Sequence, residues 1–387
     1  MKKNFLDRIL FCNRPLLPVM VGMLLWMMPA LSAFSQEESR DFFSSEPFNA
    51  QAAGSLSIAV DNLNFFKNNE YKSKYVNGYT LTGSWIRPKL LYYPDKNFRL
   101  ELGGQLLAYN GRDDYKLYPW FSALYQPAKN LSFRMGNLNQ DGNHGLPEPL
   151  MDSEHFIWDK PEAGIQTKFR NNRWAVDMWI DWQTLIFAGD PYKEKFTFGT
   201  VAELTLHRSD ESSLSLPITF NGLHEGGEID NAPGLAKTHI ALSEGLKYKG
   251  NLDGPILKSW EFSGFLLQST YPQGETGLPG KSGNAVFLQS SLNTDYGSLA
   301  PGFWQGNNFF TPLGMPLYQN GAIGQQVSVS SNRLWIFSYR YDRTIFDQSK
   351  FGFNFNMYYD PVTQKKSNNE SLYLMINLSF LCKKSAN

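Results

Sequence analysis

The chain has 387 residues, and its 36 Lys and Arg side chains are balanced by 36 Asp and Glu side chains. Phe, Tyr and Trp make up 15% of the residues, yet the mean hydropathy is −0.37. A disordered chain has few aromatic residues, and a helical membrane protein needs repeated apolar runs of about 20 residues, so both classes are excluded. The absence of net positive charge argues against a nucleic-acid partner. A large β-rich protein remains, either soluble or built as a membrane barrel.

The N-terminus is typical of a secretory signal peptide. Basic residues precede an apolar run at 16–31, which two prolines interrupt, and the small residues Ala33 and Ser35 fit a cleavage site. The sequence predicts a signal peptide over 1–35; a retained anchor helix is the alternative. Cleavage would leave Cys382 as the only cysteine, so no intramolecular disulfide can hold the fold. Residues 36–54 are predicted to form a short tail, and 55–387 a single barrel domain.

Alternation of apolar and polar residues predicts many β-strands along the mature chain. The clearest example lies near the C-terminus, where Leu372, Leu374 and Ile376 oppose Tyr373 and Met375. Similar alternation occurs at 98–109, 174–183, 213–220 and 351–357. A soluble sandwich and an outer-membrane barrel both fit this pattern, since each has one apolar and one polar face.

The spacing of the connections favours the barrel. Short turns are predicted near 94–97, 127–130, 170–172, 209–212 and 346–350. Longer connections are predicted near 67–78, 140–162, 222–237, 271–284 and 360–370. Short turns on the periplasmic side and long loops outside are typical of outer-membrane barrels. The prediction is an all-β, transmembrane up-and-down antiparallel β-barrel of about 16 strands, with a range of 14 to 18. One strand, within 302–312, is inserted to keep the number even.

Aromatic residues near the predicted strand ends indicate interface girdles, although β-propensity alone would also place them in strands. They are Trp85, Tyr92, Tyr93, Trp120, Phe121, Trp158, Tyr341, Tyr358, Tyr359 and Tyr373. Phe380 resembles the C-terminal insertion signal of such barrels, except that seven further residues follow it.

Several segments together resemble a family of uncharacterised outer-membrane barrel proteins from the Bacteroidetes. They are NNEY at 68–71, GYTL at 78–81, RPKLLY at 87–92, GNL at 136–138, NHGLPEPL at 143–150, PEAG at 161–164, WIDW at 179–182, FTFG at 196–199 and GGEID at 226–230. The resemblance covers roughly residues 65–230. It implies a signal peptide, a porin-like barrel and an outer-membrane location, and it transfers no activity and no catalytic residue.

The densest polar segment is the loop at 140–162. Its candidate constriction residues are Asp141, His144, Glu148, Asp152 and Glu154, and it also holds His155, Asp159 and Glu162. We expect this loop to fold over or into the pore, where rings of charge set ion selectivity. A solvated outer loop and a divalent-metal or acid/base site are the alternatives. No metal-ligand motif supports the last one.

A second candidate set lies on the predicted lumen face of the strands. Its pore-lining residues are Arg99, Glu101, Arg134, Lys168, Arg170, Asp177 and Asp181, with Glu203 and His207 nearby. A mixed charged lining suits a water-filled channel. Alternatively, opposite charges on neighbouring strands simply pair across the sheet.

The search for catalytic signatures is negative. None of the histidines, at 144, 155, 207, 224 and 239, lies in a His-x-Ser arrangement, and no G-x-S-x-G or phosphate-binding glycine loop occurs. The sequence therefore predicts no catalytic residue, no metal, no cofactor and no enzyme. An aromatic and Asn-rich stretch at 303–310 raises sugar binding, with an ordinary girdle as the alternative.

The leading hypothesis is a porin-like channel in the outer membrane of a Gram-negative bacterium, reached by export through the periplasm. It would allow passive or weakly selective diffusion of small hydrophilic solutes. The other hypotheses are a non-conducting barrel that recognises polysaccharide or partner proteins, an outer-membrane hydrolase, and a soluble periplasmic β-sandwich. The expected partners are outer-membrane lipid, small hydrophilic solutes and further copies of the same chain.

Overall fold

The protein is a closed antiparallel barrel of 16 strands in a computed structural model that describes residues 48–73, 76–138, 143–227, 229–252, 254–272, 277–324, 327–346 and 348–383. The strands are β1 (Leu56–Lys72), β2 (Asn77–Asp95), β3 (Phe98–Tyr109), β4 (Tyr115–Ala128), β5 (Leu131–Asn137), β6 (Ala163–Arg170), β7 (Trp174–Thr184), β8 (Lys195–Arg208), β9 (Ser212–Glu225), β10 (Lys237–Asn251), β11 (Leu257–Thr270), β12 (Ser282–Thr294), β13 (Gly297–Asn307), β14 (Ser331–Phe346), β15 (Ser349–Asp360) and β16 (Lys365–Lys383).

Every strand pairs with its neighbours in sequence, and β1 closes the barrel by pairing with β16. The closing register runs from Leu56 opposite Lys383 to Glu70 opposite Asn368. Closure leaves no open strand edge, so backbone hydrogen bonding holds the fold without a disulfide. The predicted all-β transmembrane barrel of 16 strands is confirmed.

The two ends of the barrel differ in their connections. One end, here called the turn end, carries short connections at 96–97, 129–130, 171–173, 209–211, 252–256, 295–296 and 347–348. The opposite loop end carries the connections 73–76, 110–114, 138–162, 185–194, 226–236, 271–281, 308–330 and 361–364. The five predicted short turns are confirmed. The long connections predicted at 67–78 and 360–370 are wrong, because β1, β2, β15 and β16 extend through most of these residues.

The alternation along each strand separates a lipid-facing wall from the lumen. Leu102, Phe121 and Met135 are exposed outward, whereas Glu101, Ser122 and Arg134 on the same strands are buried inside. Neighbouring aromatic residues must therefore face opposite sides. The girdle prediction is wrong for Trp85, Tyr93, Trp120, Tyr358 and Tyr373, which are all buried in the interior.

The remaining sequence predictions concern an inserted strand, the signal peptide and the N-terminal tail. The inserted strand exists as β13, Gly297–Asn307, slightly before the predicted 302–312. The predicted signal peptide at 1–35 lies outside the described residues. Within the predicted tail, Ala50–Ala52 form a short 3₁₀ turn, and Phe48 contacts Tyr93 with 5.6 Å between ring centroids. Among the described residues, no helix has the length and apolarity needed to cross a bilayer.

Candidate functional site

Two loops from the loop end fold back into the barrel. The segments 143–162 and 308–324 of these loops are together called the plug. Trp304 of the wall and Phe309 of the plug are both 0% exposed within the main interior cluster. Its buried members are Leu138, Leu146, Leu150, Met151, Trp179, Ala241, Leu267, Ala285, Phe287, Trp304, Phe309, Met315, Leu317, Tyr318, Leu334, Ile336 and Tyr358. The loop half of the lumen is therefore packed with apolar side chains.

A second apolar cluster continues the packing to the other side of the barrel. Ile157 of the plug is buried against wall residues, and Trp158 packs beside it. The wall residues are Leu63, Phe65, Trp85, Leu107, Tyr373 and Met375. The Tyr109 hydroxyl also donates to the Ile157 carbonyl at 2.8 Å. The plug thus contacts strands on both sides of the lumen.

The two plug loops are hydrogen-bonded to each other. The Asp152 amide donates to the Leu313 carbonyl at 2.7 Å, and the Met315 amide donates to the Glu148 carbonyl at 2.9 Å. A Cβ atom at Gly314 would lie 1.9 Å from the carbonyl oxygen of Pro149, so only glycine fits this approach. The two loops therefore form one unit.

His144 lies between two carboxylates in the interior. Its Nδ1 is 3.0 Å from Asp177 Oδ2, its Nε2 is 2.8 Å from Glu162 Oε2, and its side chain is 1% exposed. The ring stacks on Trp179 with 3.9 Å between centroids and 2° between planes. Its backbone is left-handed, with φ of 55°, a conformation uncommon for a residue with a side chain. Side-chain contacts thus fix the start of the plug to β7.

Charge pairing determines the protonation of this site. Burial alone would lower the pKa of His144, but Glu162 and Asp177 outweigh burial and raise the pKa to about 10. Burial opposes ionisation of Glu162, yet His144 and His155 hold the pKa of that carboxyl below its ordinary value. His155 Nε2 lies 3.6 Å from Glu162 Oε1, and its Nδ1 lies 2.7 Å from the Asp152 carbonyl oxygen. The arrangement is a buried ion-pair network at neutral pH.

Glu154 anchors the plug to the opposite wall. Its carboxylate forms an ion pair with Lys67 of β1, accepts a hydrogen bond from the Tyr79 hydroxyl at 2.7 Å, and accepts one from Asn69 Nδ2 at 3.2 Å. Burial and the neighbouring Glu154 raise the pKa of Asp152 to about 7. Charged contacts on β1 and β7 therefore hold the plug from both sides.

A second charged network lies in the turn half of the lumen. Glu101 accepts from Arg99 at 2.7 Å, from Arg134 at 3.3 Å and from Trp120 Nε1 at 3.1 Å. Lys89 lies 2.8 Å from Asp61. The network as a whole comprises Asp61, Arg87, Lys89, Arg99, Glu101, Gln105, Ser122 and Arg134. These side chains satisfy one another across neighbouring strands.

The structure divides the predicted site residues between these networks. Arg99, Glu101 and Arg134 belong to the turn half, whereas Asp177 joins His144, and Lys168 lies 3.6 Å from Asp177. Asp181 is buried and accepts from the Ala163 amide at 2.8 Å, and Arg170 is exposed at the turn end. Glu148, Asp152 and Glu154 lie on the plug, and Asp141 lies outside the described residues. Most of these charged side chains therefore form ion pairs or hydrogen bonds with neighbouring residues, as the alternative interpretation of paired charges expects.

The aromatic stretch at 303–310 does not form an open sugar-binding surface. Trp304, Phe309 and Phe310 are buried in the interior, and Trp304 Nε1 donates to Asn332 at 2.9 Å. Phe303 faces outward and contacts Trp335 with 4.9 Å between centroids. Among the described residues, no group of three or more His, Cys, Asp or Glu side chains is arranged to hold a metal ion.

Sequence reasoning missed a histidine–hydroxyl pair on the outer wall. His224 of β9 lies directly opposite Thr238 of β10, and its Nδ1 is 2.8 Å from Thr238 Oγ1. Both residues share the outward face with Ile218 and Leu242, whereas the intervening Leu223 and His239 are buried inside. A search for His-x-Ser could not find this pair, because its members are 14 positions apart and meet only through the strand register.

The comparison of the sequence with protein families is decisive. The model of the lipid A 3′-O-deacylase-type family matches residues 48–385. The chain belongs to the lipid A 3′-O-deacylase-type family. The prediction that the protein is not an enzyme is therefore wrong, because this family is named for an enzyme. Among curated proteins, none matches the chain.

Solved outer-membrane structures share the barrel of this lipid A 3′-O-deacylase-type chain. OprD from Pseudomonas aeruginosa superposes with a TM-score of 0.51 at 9% identity, over 86% of this chain and 98% of OprD. An improved structure of OprD gives a TM-score of 0.50 at 11% identity, over 88% and 99% of the two chains. At this identity the similarity establishes the fold alone. It confirms a barrel fold similar to that of outer-membrane porins, whereas the outer-membrane location and the Bacteroidetes origin that the sequence resemblance implied stay predictions.

Proposed function

We propose that this protein is an acyl-ester hydrolase of the Gram-negative outer membrane that removes a fatty acid from a lipid A-type glycolipid. The observation that carries the proposal is the family match, which spans residues 48–385 and thus all 16 strands of the barrel. The enzyme would be exported through the periplasm and would meet its substrate in the lipid that surrounds the wall.

The packed lumen supports a reaction outside the barrel. The plug fills the loop half with apolar side chains, and Trp304 and Phe309 within it are fully buried. Interiors packed in this way leave few voids larger than a water molecule. A glycolipid with several acyl chains has no room there. The outward wall, in contrast, faces the lipid directly.

The experiment is a direct assay of ester cleavage. Purified protein, refolded in detergent and shown to be heat-modifiable on a gel, is incubated with lipid A in mixed micelles. We expect a free fatty acid and a matching loss of mass from the lipid, with cleavage at the 3′ ester. A diacyl phospholipid serves as the control lipid. Folded protein that releases no fatty acid from lipid A would contradict the proposal.

A channel for small hydrophilic solutes is the second candidate. It is favoured by the turn-half network, which gives the lumen a charged lining of Arg99, Glu101 and Arg134 beside the buried Arg87 and Lys89. Conduction would require the plug to move, since the loop half is packed. Planar-bilayer recordings test this candidate. Wild-type protein should show openings as the plug moves, and a variant with a loosened plug should conduct more; a correctly inserted wild-type protein that never conducts would exclude the channel.

A further inference from the structure

One histidine stands apart from the other four in its position on the barrel. All five histidines lie among the described residues. His144 and His155 belong to the plug, His239 is buried in the lumen, and His207 lies close to the turn that follows β8. His224 alone lies on the lipid-facing side of the wall at the loop end. Because a base that acts on membrane lipid must be reachable from the lipid, His224 is the candidate.

The partner of His224 is a hydroxyl in hydrogen-bond contact. Thr238 Oγ1 lies 2.8 Å from His224 Nδ1, and the Thr238 side chain is exposed. A hydroxyl within about 2.6–3.2 Å of an imidazole nitrogen has the geometry of an activated nucleophile. Phe196 of β8 packs on the imidazole ring, with 5.0 Å between centroids and 31° between planes. That contact holds the ring towards Thr238.

The depth of the pair matches the ester linkages of a membrane lipid. His224 is the penultimate residue of β9, and Thr238 is the second residue of β10, both at the loop end. Trp182 and Phe196 lie beside them, with 5.8 Å between ring centroids. Aromatic residues of this kind mark the boundary between headgroups and hydrocarbon in membrane barrels. Acyl esters of a glycolipid lie at the same boundary.

Exposed apolar residues lie on the loops next to the pair. The loops 185–194 and 226–236, here called the paired loops, are joined by hydrogen bonds from the Gly189 amide to the Ile229 carbonyl at 2.9 Å and from the Asn231 amide to the Asp190 carbonyl at 2.8 Å. Phe187 is 71% exposed and Leu235 is 86% exposed on these loops. Each of these residues can contact the lipid that surrounds the wall. One of the paired loops connects β7 to β8 and the other connects β9 to β10, so these residues continue the lipid-facing wall.

We infer that Thr238 and His224 form the nucleophile and general base that cleave an acyl ester of an outer-leaflet glycolipid; this inference rests on the proposed function. His224 Nδ1 takes the proton of the Thr238 hydroxyl as Oγ1 attacks the ester carbonyl carbon. The bond between that carbon and the sugar oxygen breaks, and the sugar oxygen takes the proton from His224. Water, activated in turn by His224, then cleaves the acyl-threonine and releases the fatty acid.

The test compares three substitutions in the lipid A assay. Thr238→Val keeps the side-chain shape and removes the hydroxyl, and His224→Gln removes the base. Each should lower kcat by about 100-fold or more, because a positioned general base contributes about that factor. Thr238→Ser retains a hydroxyl and should keep measurable turnover. Thr200→Val is the matched control, since Thr200 lies outward on neighbouring β8 opposite Met178 and Phe220, and it should have wild-type activity.

The outcomes separate this inference from the proposed function. If wild-type protein releases no fatty acid, the proposed function fails. If wild-type protein is active and Thr238→Val or His224→Gln retains full activity, the function stands and the pair is overturned. If a variant fails to fold, a fluorophosphonate probe on wild-type protein decides the matter. Mass spectrometry should locate the probe on Thr238, and labelling elsewhere or none would overturn the assignment.

Discussion

Replacing His144 by Asn tests whether ion pairs fix the plug in the lumen. Asn tolerates the left-handed backbone at φ of 55°, so the substitution removes the charge without adding backbone strain. It leaves Glu162 and Asp177 without the imidazolium that lies 2.8 and 3.0 Å away. Removing one partner of a buried pair costs about 3–5 kcal/mol, which corresponds to an increase of roughly 150- to 5000-fold in local opening.

Hydrogen exchange, read by mass spectrometry on peptides from 143–162, measures this opening directly. We expect faster exchange in these peptides for His144→Asn, whereas peptides from the strands on the far side of the barrel should be unchanged. His207→Asn, at an exposed histidine of β8, is the matched control and should exchange like wild type. Wild-type exchange rates at 143–162 in His144→Asn would refute the reasoning that these ion pairs hold the plug.

Three further predictions concern the plug and the paired loops. Gly314→Val should separate the two plug loops, because its Cβ would clash with the Pro149 carbonyl, and planar-bilayer current should rise; Gly280→Val, where the nearest atom to an added Cβ is the Ser282 carbonyl oxygen at 3.7 Å, is the control. The His144 ion pair stabilises the plug fully below the ordinary His pKa of about 6.5, and this contribution is lost as pH rises through about 10. The protection factor of 143–162, which is the intrinsic exchange rate divided by the observed rate at the same pH, should therefore fall above that pH, and an unchanged protection factor would contradict the assignment. Phe187→Ser should raise KM for lipid A several-fold and leave kcat near wild type, since the exposed Phe187 ring can contact the lipid beside the pair; an unchanged KM would remove the paired loops from the substrate site.

The alternation of side chains was sufficient to predict the barrel. Each strand buries every second residue, so polar residues such as Gln105 and Thr219 mark the lumen face in the sequence itself. The strand ends were harder to predict, because polar residues at 67–72 and 365–370 continue the ladder beyond the apolar band. A girdle made of both members of an aromatic pair is ruled out by strand geometry, because neighbouring residues face opposite sides of the sheet.

The candidate sites are harder to predict from the sequence than the barrel. The loop at 140–162 was expected to enter the pore, but its partner at 308–330 was not, since its glycines and prolines indicate an ordinary loop. Packing between them depends on contacts such as Gly314 against Pro149, which join distant positions. The His224–Thr238 pair depends on the register between β9 and β10, and no local motif encodes that register.

The release of fatty acid from lipid A by purified, folded protein tests the central claim most directly. The account predicts that wild-type protein produces one free fatty acid per lipid A and the corresponding deacylated lipid, while Thr238→Val produces neither at a comparable rate. A wild-type protein that is correctly folded in lipid and leaves lipid A intact would contradict the account.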